Sequence, residues 1–587
     1  MIKEMFATLL NIKHNGMTWT IRSEYPTSIM NEFVKKLDDV TVSDGVRIIK
    51  SNKARTTLSA PFVNGQRVVV KRYRIRGWRE KIKYLFVPSR ARMEWRMMDA
   101  LRARGIPASV PLAYGERRWC GVLLDESLII KEITGCLSFQ AYIKRHYSGT
   151  LSKVKILQKR ALLRKLADFI RHIHEKNIDH RDFHGGNILV TEADSGEPVF
   201  YLIDLHKARV CNRLSLRRKI NNLALQCDIP GFPFPRTDCL RLIKYYNNYC
   251  SPAPSFPLEG EGEGGGVTCL FHAKKDFKGF ALKTLKRIEI LKNKRLKSTT
   301  RWCLKLSNVF AVYKSKGIRI YYRKEYKFAD ILDLFKRVED NPELEHGQTS
   351  LSMPPNYNVQ CHVLKRSSKS VVFLEEIPFR EIPKKVVVKY NFCRGFFDML
   401  KKTFLGTRCR RAWIAANGLI VRGIPTPQPI ALIEKKSFGF TKDNLLLTEY
   451  VDGLLSVNDY ISKYFNNNLN KKKRLFTEEL ARLVRLFHDT GIYHGDLSGR
   501  NILVKERQLK NWEIFITDLD AASLWKKLTL KRQLKNLSQI NDCPDCITNA
   551  DRMRFFKTYF RGIPPKAHEY IRKIVKLTMV RRLQRIK

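Results

Sequence analysis

The sequence predicts an α+β chain of two tandem domains, each a small strand-rich lobe followed by a larger helical lobe. Three observations carry that reading. The chain has 587 residues, more than one hydrophobic core usually organises, and 44% of them are hydrophobic, which excludes a disordered chain. The sequence then repeats itself in order, the mark of a duplicated unit. Within each copy, short β-branched runs give way to apolar residues at helical spacing.

The repeat is visible motif by motif. Val68-Val69-Val70-Lys71 is answered by Val386-Val387-Val388-Lys389. Trp95 followed by Arg104-Gly105-Ile106-Pro107 is answered by Trp413 followed by Arg422-Gly423-Ile424-Pro425. The stretch His180-Arg181-Asp182-Phe183-His184-Gly185-Gly186-Asn187-Ile188-Leu189-Val190, then Ile203-Asp204-Leu205, returns as His494-Gly495-Asp496-Leu497-Ser498-Gly499-Arg500-Asn501-Ile502-Leu503-Val504, then Thr517-Asp518-Leu519. Leu214-Ser215-Leu216-Arg217-Arg218 matches Leu528-Thr529-Leu530-Lys531-Arg532. The boundaries that follow are 1–250 for the first domain, 251–300 for an intervening region and 301–587 for the second domain.

In chain order, 29–39 and 331–340 read as matching amphipathic helices, with Phe33, Leu37, Ile331, Leu334, Phe335 and Val338 on their apolar faces. Val68 to Val70 read as a buried strand, and 89–104 as a helix. Leu123-Leu124 and Leu128-Ile129-Ile130-Lys131-Glu132 read as a hairpin. A helix over 157–175 turns Leu162, Leu166, Ile170 and Ile173 to a core. Ile188-Leu189-Val190 and Tyr201-Leu202-Ile203 read as strands joined by a turn at Gly196-Glu197-Pro198, and 214–225 as a helix. Between the copies, Pro, Gly and Glu over 251–266 give a linker composition. The basic stretch 274–297 puts Phe277, Ala281, Leu285, Ile288 and Leu291 on one face. That face either packs on a domain or lies on anionic lipid.

Lys and Arg number 110 against 56 acids, a formal charge of +54. Beyond a solvated surface, this points to an anionic partner: a phosphorylated or carboxylated substrate, an anionic membrane or nucleic acid. The start lacks the apolar core of a signal peptide, and no apolar run reaches membrane-spanning length. The thirteen cysteines are scattered and odd in number, which fits a reducing cytoplasm better than a disulfide framework. Cys543-Pro544-Asp545-Cys546 has no second pair nearby, so packing is expected there rather than zinc.

The acid–amide–acid set suits phosphoryl transfer from ATP. One carboxylate accepts the proton of the attacking hydroxyl, while an amide oxygen and a second carboxylate hold magnesium on the phosphates. Asp182 is the candidate base, with Asn187 and Asp204 as metal ligands. Asp496, Asn501 and Asp518 repeat the set.

This ordering resembles the protein-kinase-like fold. The resemblance makes Lys71 and Lys389 the lysines that bind the α- and β-phosphates, with Glu94 as the ion-pair partner of Lys71. Glu132 and Glu449 fall at the interlobe hinges, where adenine binds. No regular Gly-rich loop is present, and in copy two the basic turn Lys365-Arg366-Ser367-Ser368-Lys369-Ser370 stands in its place. After Asp204 there is no Ala-Pro-Glu and no room for a peptide platform, so a compact acceptor fits better. Together with the Val-Val-Val-Lys and Arg-Gly-Ile-Pro motifs, these features resemble the lipopolysaccharide kinase family that phosphorylates Kdo or heptose of the lipid A core.

The resemblance implies ATP and Mg2+ as cofactors, an anionic glycolipid acceptor and a cytoplasmic enzyme in peripheral contact with the inner membrane. Basic residues beside both sites (Lys207, Arg209, Arg213, Arg217 and Arg218; Lys526, Lys527, Lys531 and Arg532) would meet the acceptor's anionic groups. The rival readings are a kinase of a protein or aminoglycoside, and a double pseudokinase scaffold that binds nucleic acid or lipid through its charge. Counting from the tryptophans, Ala412 stands where copy one has Glu94. Lys389 is therefore expected to lack its partner unless Glu375, Glu376 or Glu381 serves, and copy one is expected to be the main catalyst.

Overall fold

The protein is described from a computed structural model. The structure describes residues 9–23, 33–34, 45–51, 54–63, 65–75, 77–149, 151–192, 196–230, 234–247, 274–315, 317–340, 362–367, 370–379, 382–393, 395–465, 470–508, 511–524 and 528–586. Most of 29–39, the stretch 251–266, Glu381, Lys526 and Lys527 lie outside them. The chain divides into two compact units, Met1–Lys292 and Asn293–Lys587.

Unit 1 opens with a seven-stranded sheet whose spatial order is Leu9–His14, Met17–Arg22, Pro111–Trp119, Val122–Lys131, Arg67–Arg74, Arg55–Pro61, Arg47–Ser51. Its inner face is apolar because Trp19, Ile21, Leu58, Val68, Val70 and Ile129 alternate inward along their strands. Leu123-Leu124 and Leu128 to Lys131 belong to one ten-residue strand, Val122–Lys131, rather than to a hairpin. The hairpin partner is Pro111–Trp119, whose more polar sequence gave little strand signal. Ser89 caps the Arg90–Arg102 helix by accepting from the Arg92 N–H.

The helical lobe is built on Lys153–Glu175, whose Leu162, Leu163, Leu166, Ile170 and Ile173 are buried in one core with Phe139, Phe183, Ile188 and Leu242. Against it lies the hairpin Ile188–Glu192 and Pro198–Leu202, with Ile188 paired to Leu202. Pro198 is the first residue of its strand rather than a turn residue, a position that needs no N–H from it.

Unit 2 repeats both lobes: a seven-stranded sheet in the same order, the Arg408–Val421 helix capped by Thr407, and the hairpin Ile502–Gln508 with Asn511–Ile516. The basic stretch forms a helix, Lys274–Thr300. Its Phe280 and Ala281 are buried in the unit 1 core, with Phe277, Leu285 and Ile288 packed against that core. Of the two readings of this face, the structure takes the packed one.

Candidate active site

Lys71 follows three valines on the Arg67–Arg74 strand, and the alternation that buries Val68 and Val70 fixes which residues cross the sheet. The lysine is itself buried and forms an ion pair with Glu94, which is fully buried on the Arg90–Arg102 helix. Tyr73, two residues on and on the same face, donates to the other Glu94 oxygen at 2.6 Å. The Leu205 N–H reaches Glu94 at 3.4 Å. One carboxylate thus ties the strand-rich lobe to the residue after Asp204.

In the helical lobe, burial keeps His180 neutral at neutral pH by pushing its pKa down. Its ring sits 3.1 Å from the Ile203 carbonyl and accepts from the Asp182 N–H at 3.2 Å. Asn187 donates its amide to the Asp182 carbonyl at 2.8 Å, and the Ile203 N–H bonds the Asn187 carbonyl at 3.0 Å. These contacts join the loop to the hairpin and bring the three candidate residues to one end of it.

Asp204 has left-handed backbone angles, φ 60° and ψ 53°. Asp518 repeats them at φ 54° and ψ 53°. A non-glycine residue held there costs on the order of 1–3 kcal/mol, and the strain recurs at the candidate metal-ligand carboxylate of each unit. Burial opposes ionisation of Asp204. His206 at 3.1 Å, the charge of Lys71 and a two-point contact from Arg55 (2.6 and 3.3 Å) outweigh it and hold the carboxyl well below the usual range. Asp182 is likewise lowered against its partial burial, chiefly by Lys207 at 3.0 Å.

The donor set fits magnesium. With its nitrogen on a carbonyl, Asn187 has its amide oxygen for a cation, and Asp204 supplies an ionised carboxylate; hard oxygens of this kind suit Mg2+. Ligand atoms of Glu94, Asp204 and His206 lie within 4.8 Å of one another, and the Arg55 guanidinium already places positive charge on Asp204.

At the hinges, where backbone groups are the ones expected to meet adenine, the glutamate side chains are engaged within the protein. Glu132 is bonded to Ser59, Arg67 and Arg47, and Glu449 is paired with Lys384 at 3.0 Å. Their backbone N–H groups bond the Arg67 and Gln428 carbonyls. The basic cluster is also partly spent, because buried Asp179 draws in Arg209 and Arg218.

Unit 2 keeps the frame and changes the cations. His494 bonds the Thr517 carbonyl and the Asp496 N–H, and Asn501 donates to the Asp496 carbonyl at 2.8 Å. Ala412 is buried where unit 1 has Glu94. Lys389 does not lack a partner, however: its ammonium lies 2.9 Å from Asp518 and 3.4 Å from Asp520. Of the three glutamates named from the sequence, Glu381 lies outside the described residues, and Glu375 bonds Arg337. Arg581, from the Ala567–Ile586 helix, pairs with Asp496. In unit 1, by contrast, Arg55 stands two residues before Thr57, the cross-strand partner of Lys71. The matching position before Val372, the partner of Lys389, is Ser370. With neither that arginine nor the helix glutamate, Lys389 falls onto Asp518. An apolar cavity of about 530 Å³ lies in the helical lobe of unit 2 among Ile461, Phe476, Leu480, Phe556 and Ile574, but none of Lys389, Asp496, Asn501 or Asp518 lines it.

Sequence reasoning missed Arg55, Tyr73, Lys207 as a partner of Asp182, Asp520 and Arg581. Asp520 was open to view two residues past Asp518. Arg55 and Arg581 lie about 150 and 85 residues from the carboxylates they reach, and no local pattern announces them.

Two lobes joined through a lysine–glutamate pair, over a loop and hairpin that present an acid, an amide and a second acid, define the protein-kinase-like class. The chain belongs to the lipopolysaccharide kinase (Kdo/WaaP) family, whose sequence model matches residues 42–246 and 389–559, more than half of the chain. It is 28% identical over 159 residues to the lipopolysaccharide core heptose(I) kinase WaaP of Escherichia coli, covering 26% of this chain and 59% of that protein. It is 30% identical over 150 residues to the 3-deoxy-D-manno-octulosonic acid kinase of Mannheimia succiniciproducens, covering 24% and 58%. The chain thus spans just under three fifths of the length of these two relatives. Among solved structures, WaaP in complex with acyl carrier protein matches at 20% identity and a TM-score of 0.30, over 43% of this chain and 91% of that one.

Proposed function

We propose that the chain is an ATP-dependent phosphotransferase that adds phosphate to a hydroxyl of Kdo or heptose in a lipopolysaccharide core, with unit 1 as its main catalytic centre. The observation that carries this reading is the unit 1 cleft, where the buried Lys71–Glu94 pair meets Asp204 beside the Asp182–Asn187 loop. Lys71, held by Glu94, binds α- and β-phosphate oxygens. Asn187 and Asp204 hold magnesium, which when bound neutralises charge on the phosphates. Asp182 orients the acceptor hydroxyl and takes its proton as the oxygen attacks the γ-phosphorus and ADP leaves. Lys207, on the same carboxylate, keeps Asp182 ionised until the hydroxyl arrives.

The absence of a peptide-docking segment favours a sugar over a protein acceptor, and the charge of +54 favours an anionic glycolipid. Among the described residues no helix is long and apolar enough to cross a membrane. The contact proposed with the inner membrane is peripheral, on its cytoplasmic face. Transfer of labelled γ-phosphate is tested with purified core glycolipid, a protein mixture and RNA offered together. Label on the core sugar is the expected result. Label on protein, or none on any acceptor, overturns the proposal.

A further inference from the structure

With the apolar face of the Lys274–Thr300 helix already buried, membrane contact falls to other residues, and one surface recurs in both units. In unit 1 the helix Gly77–Phe86 leads into the Arg90–Arg102 helix and buries only Tyr84. Trp78, Ile82 and Leu85 are exposed, and Phe86 is 84% exposed. Beside it stands the tip of the Pro111–Trp119 and Val122–Lys131 hairpin. Arg118 at this tip bonds the Tyr84 carbonyl at 3.2 Å, and Trp119 is 71% exposed.

In unit 2 the helix Phe396–Leu405 buries nothing. Phe396, Phe397 and Leu405 are exposed and Phe404 is 78% exposed. Phe396 and Phe404 follow Lys389 at the same spacing as Trp78 and Phe86 follow Lys71. The adjoining hairpin tip carries Phe438, 96% exposed, and the ring of Phe440 lies 6.2 Å from that of Phe396.

The charges on these helices share one sign. Arg79, Lys81 and Lys83 alternate with the apolar residues of the first, and its one acid, Glu80, pairs with Arg90. Lys401 and Lys402 lie on the second, and its one acid, Asp398, pairs with Lys402. A second copy of the chain would set like charge against like charge. A folded protein partner would need a matching pocket for each ring that projects this far. A fluid anionic bilayer takes projecting rings without pockets, while lysines and arginines reach its headgroups.

We propose that each of these two helix-and-hairpin patches is a membrane-binding surface of its own unit, with Trp78, Phe86 and Trp119 in unit 1 and Phe397, Phe404 and Phe438 in unit 2 entering the interface of an anionic bilayer. This deepens the proposed peripheral contact and is independent of the phosphoryl-transfer assignment.

The test is flotation of the full chain with vesicles of phosphatidylcholine alone or mixed equally with phosphatidylglycerol. The wild type is compared with the W78S/F86S/W119S and F397S/F404S/F438S triple variants and with the six-fold variant. The wild type is expected to float with the anionic vesicles. Each triple variant is expected to lose about ten-fold or more in partitioning, and the six-fold variant to remain in solution while keeping the wild-type melting temperature and nucleotide binding. In the wild type, brominated lipid should quench the fluorescence of Trp78 and Trp119; W78F and W119F substitutions identify their share without disturbing the patch. Failure of the wild type to bind overturns the peripheral reading itself. Equal partitioning of wild type and six-fold variant, or no loss of quenching in W78F/W119F, overturns the assignment of these patches. So does concentration-dependent dimerisation of the wild type, without lipid, that the six-fold variant abolishes.

Discussion

Replacing Glu94 by Gln removes a charge from a place with no water to substitute for it. The carboxylate is fully buried and the Lys71 side chain is 7% exposed. In the variant the lysine keeps its burial and loses its direct partner, the acid left nearby, Asp204, is already held by Arg55, and the Tyr73 hydroxyl and Leu205 N–H lose a charged acceptor. Breaking one partner of a buried pair costs about 3–5 kcal/mol. At about 2–4 °C per kcal/mol for a unit of this size, the unfolding transition of unit 1 should fall by roughly 6–20 °C. Nucleotide affinity should fall with it, because an untethered lysine no longer holds the phosphates. The K71M/E94Q double variant removes both charges and should recover most of the stability and none of the nucleotide binding. Calorimetry with and without ATP separates the outcomes. An E94Q protein that melts and binds nucleotide like wild type refutes the assignment of Glu94, and a double variant less stable than E94Q refutes the electrostatic account.

Asp182→Asn should retain nucleotide binding and lose about two or more orders of magnitude in transfer; near-normal turnover would exclude Asp182 as the base. Asp204→Ala should abolish transfer to the acceptor and Asp518→Ala should leave most of it, with the opposite pattern naming unit 2 as the catalyst. Burial lowers His174 to about 3 and His488 to about 4, from 6.5. Between those values and 6.5 the unfolded chain binds more protons than the folded one, so stability is fully present above about pH 6.5 and is lost as pH falls towards 4. Each histidine contributes about 1.4 kcal/mol per pH unit in that window. Replacing His488 by Gln should flatten the melting profile of unit 2 below pH 6.5, and an unchanged slope would count against the buried neutral imidazole.

The helical lobes were the more legible part of the fold. The 157–175 periodicity and the acid–amide–acid spacing are local signals, and the structure places the helix and the hairpin within a few residues of expectation. The Pro111–Trp119 strand was missed because Gly115, Glu116, Arg117 and Arg118 break the alternation that marks a half-buried strand. That misplaced the hairpin assigned to the next strand. In the site, the residues named from the sequence converge because each sits on a short motif with its own backbone reason to be there. The cations around them come from far along the chain and carry no such motif. Ala412 was correctly read as a missing acid, but a half-buried ammonium without one acid finds another. Lys389 found Asp518 and Asp520.

That displacement gives the asymmetry of the two units a physical basis. In unit 1 two cations and two acids sort into separate pairs, Lys71 with Glu94 and Arg55 with Asp204, so Lys71 stays placed for phosphate whatever occupies Asp204. In unit 2 Lys389 is shared between Asp518 and Asp520, and its burial is outweighed by their charges, which raise its pKa. For unit 2 to bind a magnesium–nucleotide complex at Asp518, Lys389 must first leave it, with no helix glutamate to receive it. The other cations on the acids, Arg55 and Lys207 in unit 1 and Arg581 in unit 2, must give way in either unit, so the displacement of Lys389 is the cost that unit 2 alone carries. The loop, the strained Asp518 and the Asn501 contact survive because they depend on backbone bonds within the hairpin. What differs between the units is long-range charge pairing, and it differs at two positions, Glu94 against Ala412 and Arg55 against Ser370.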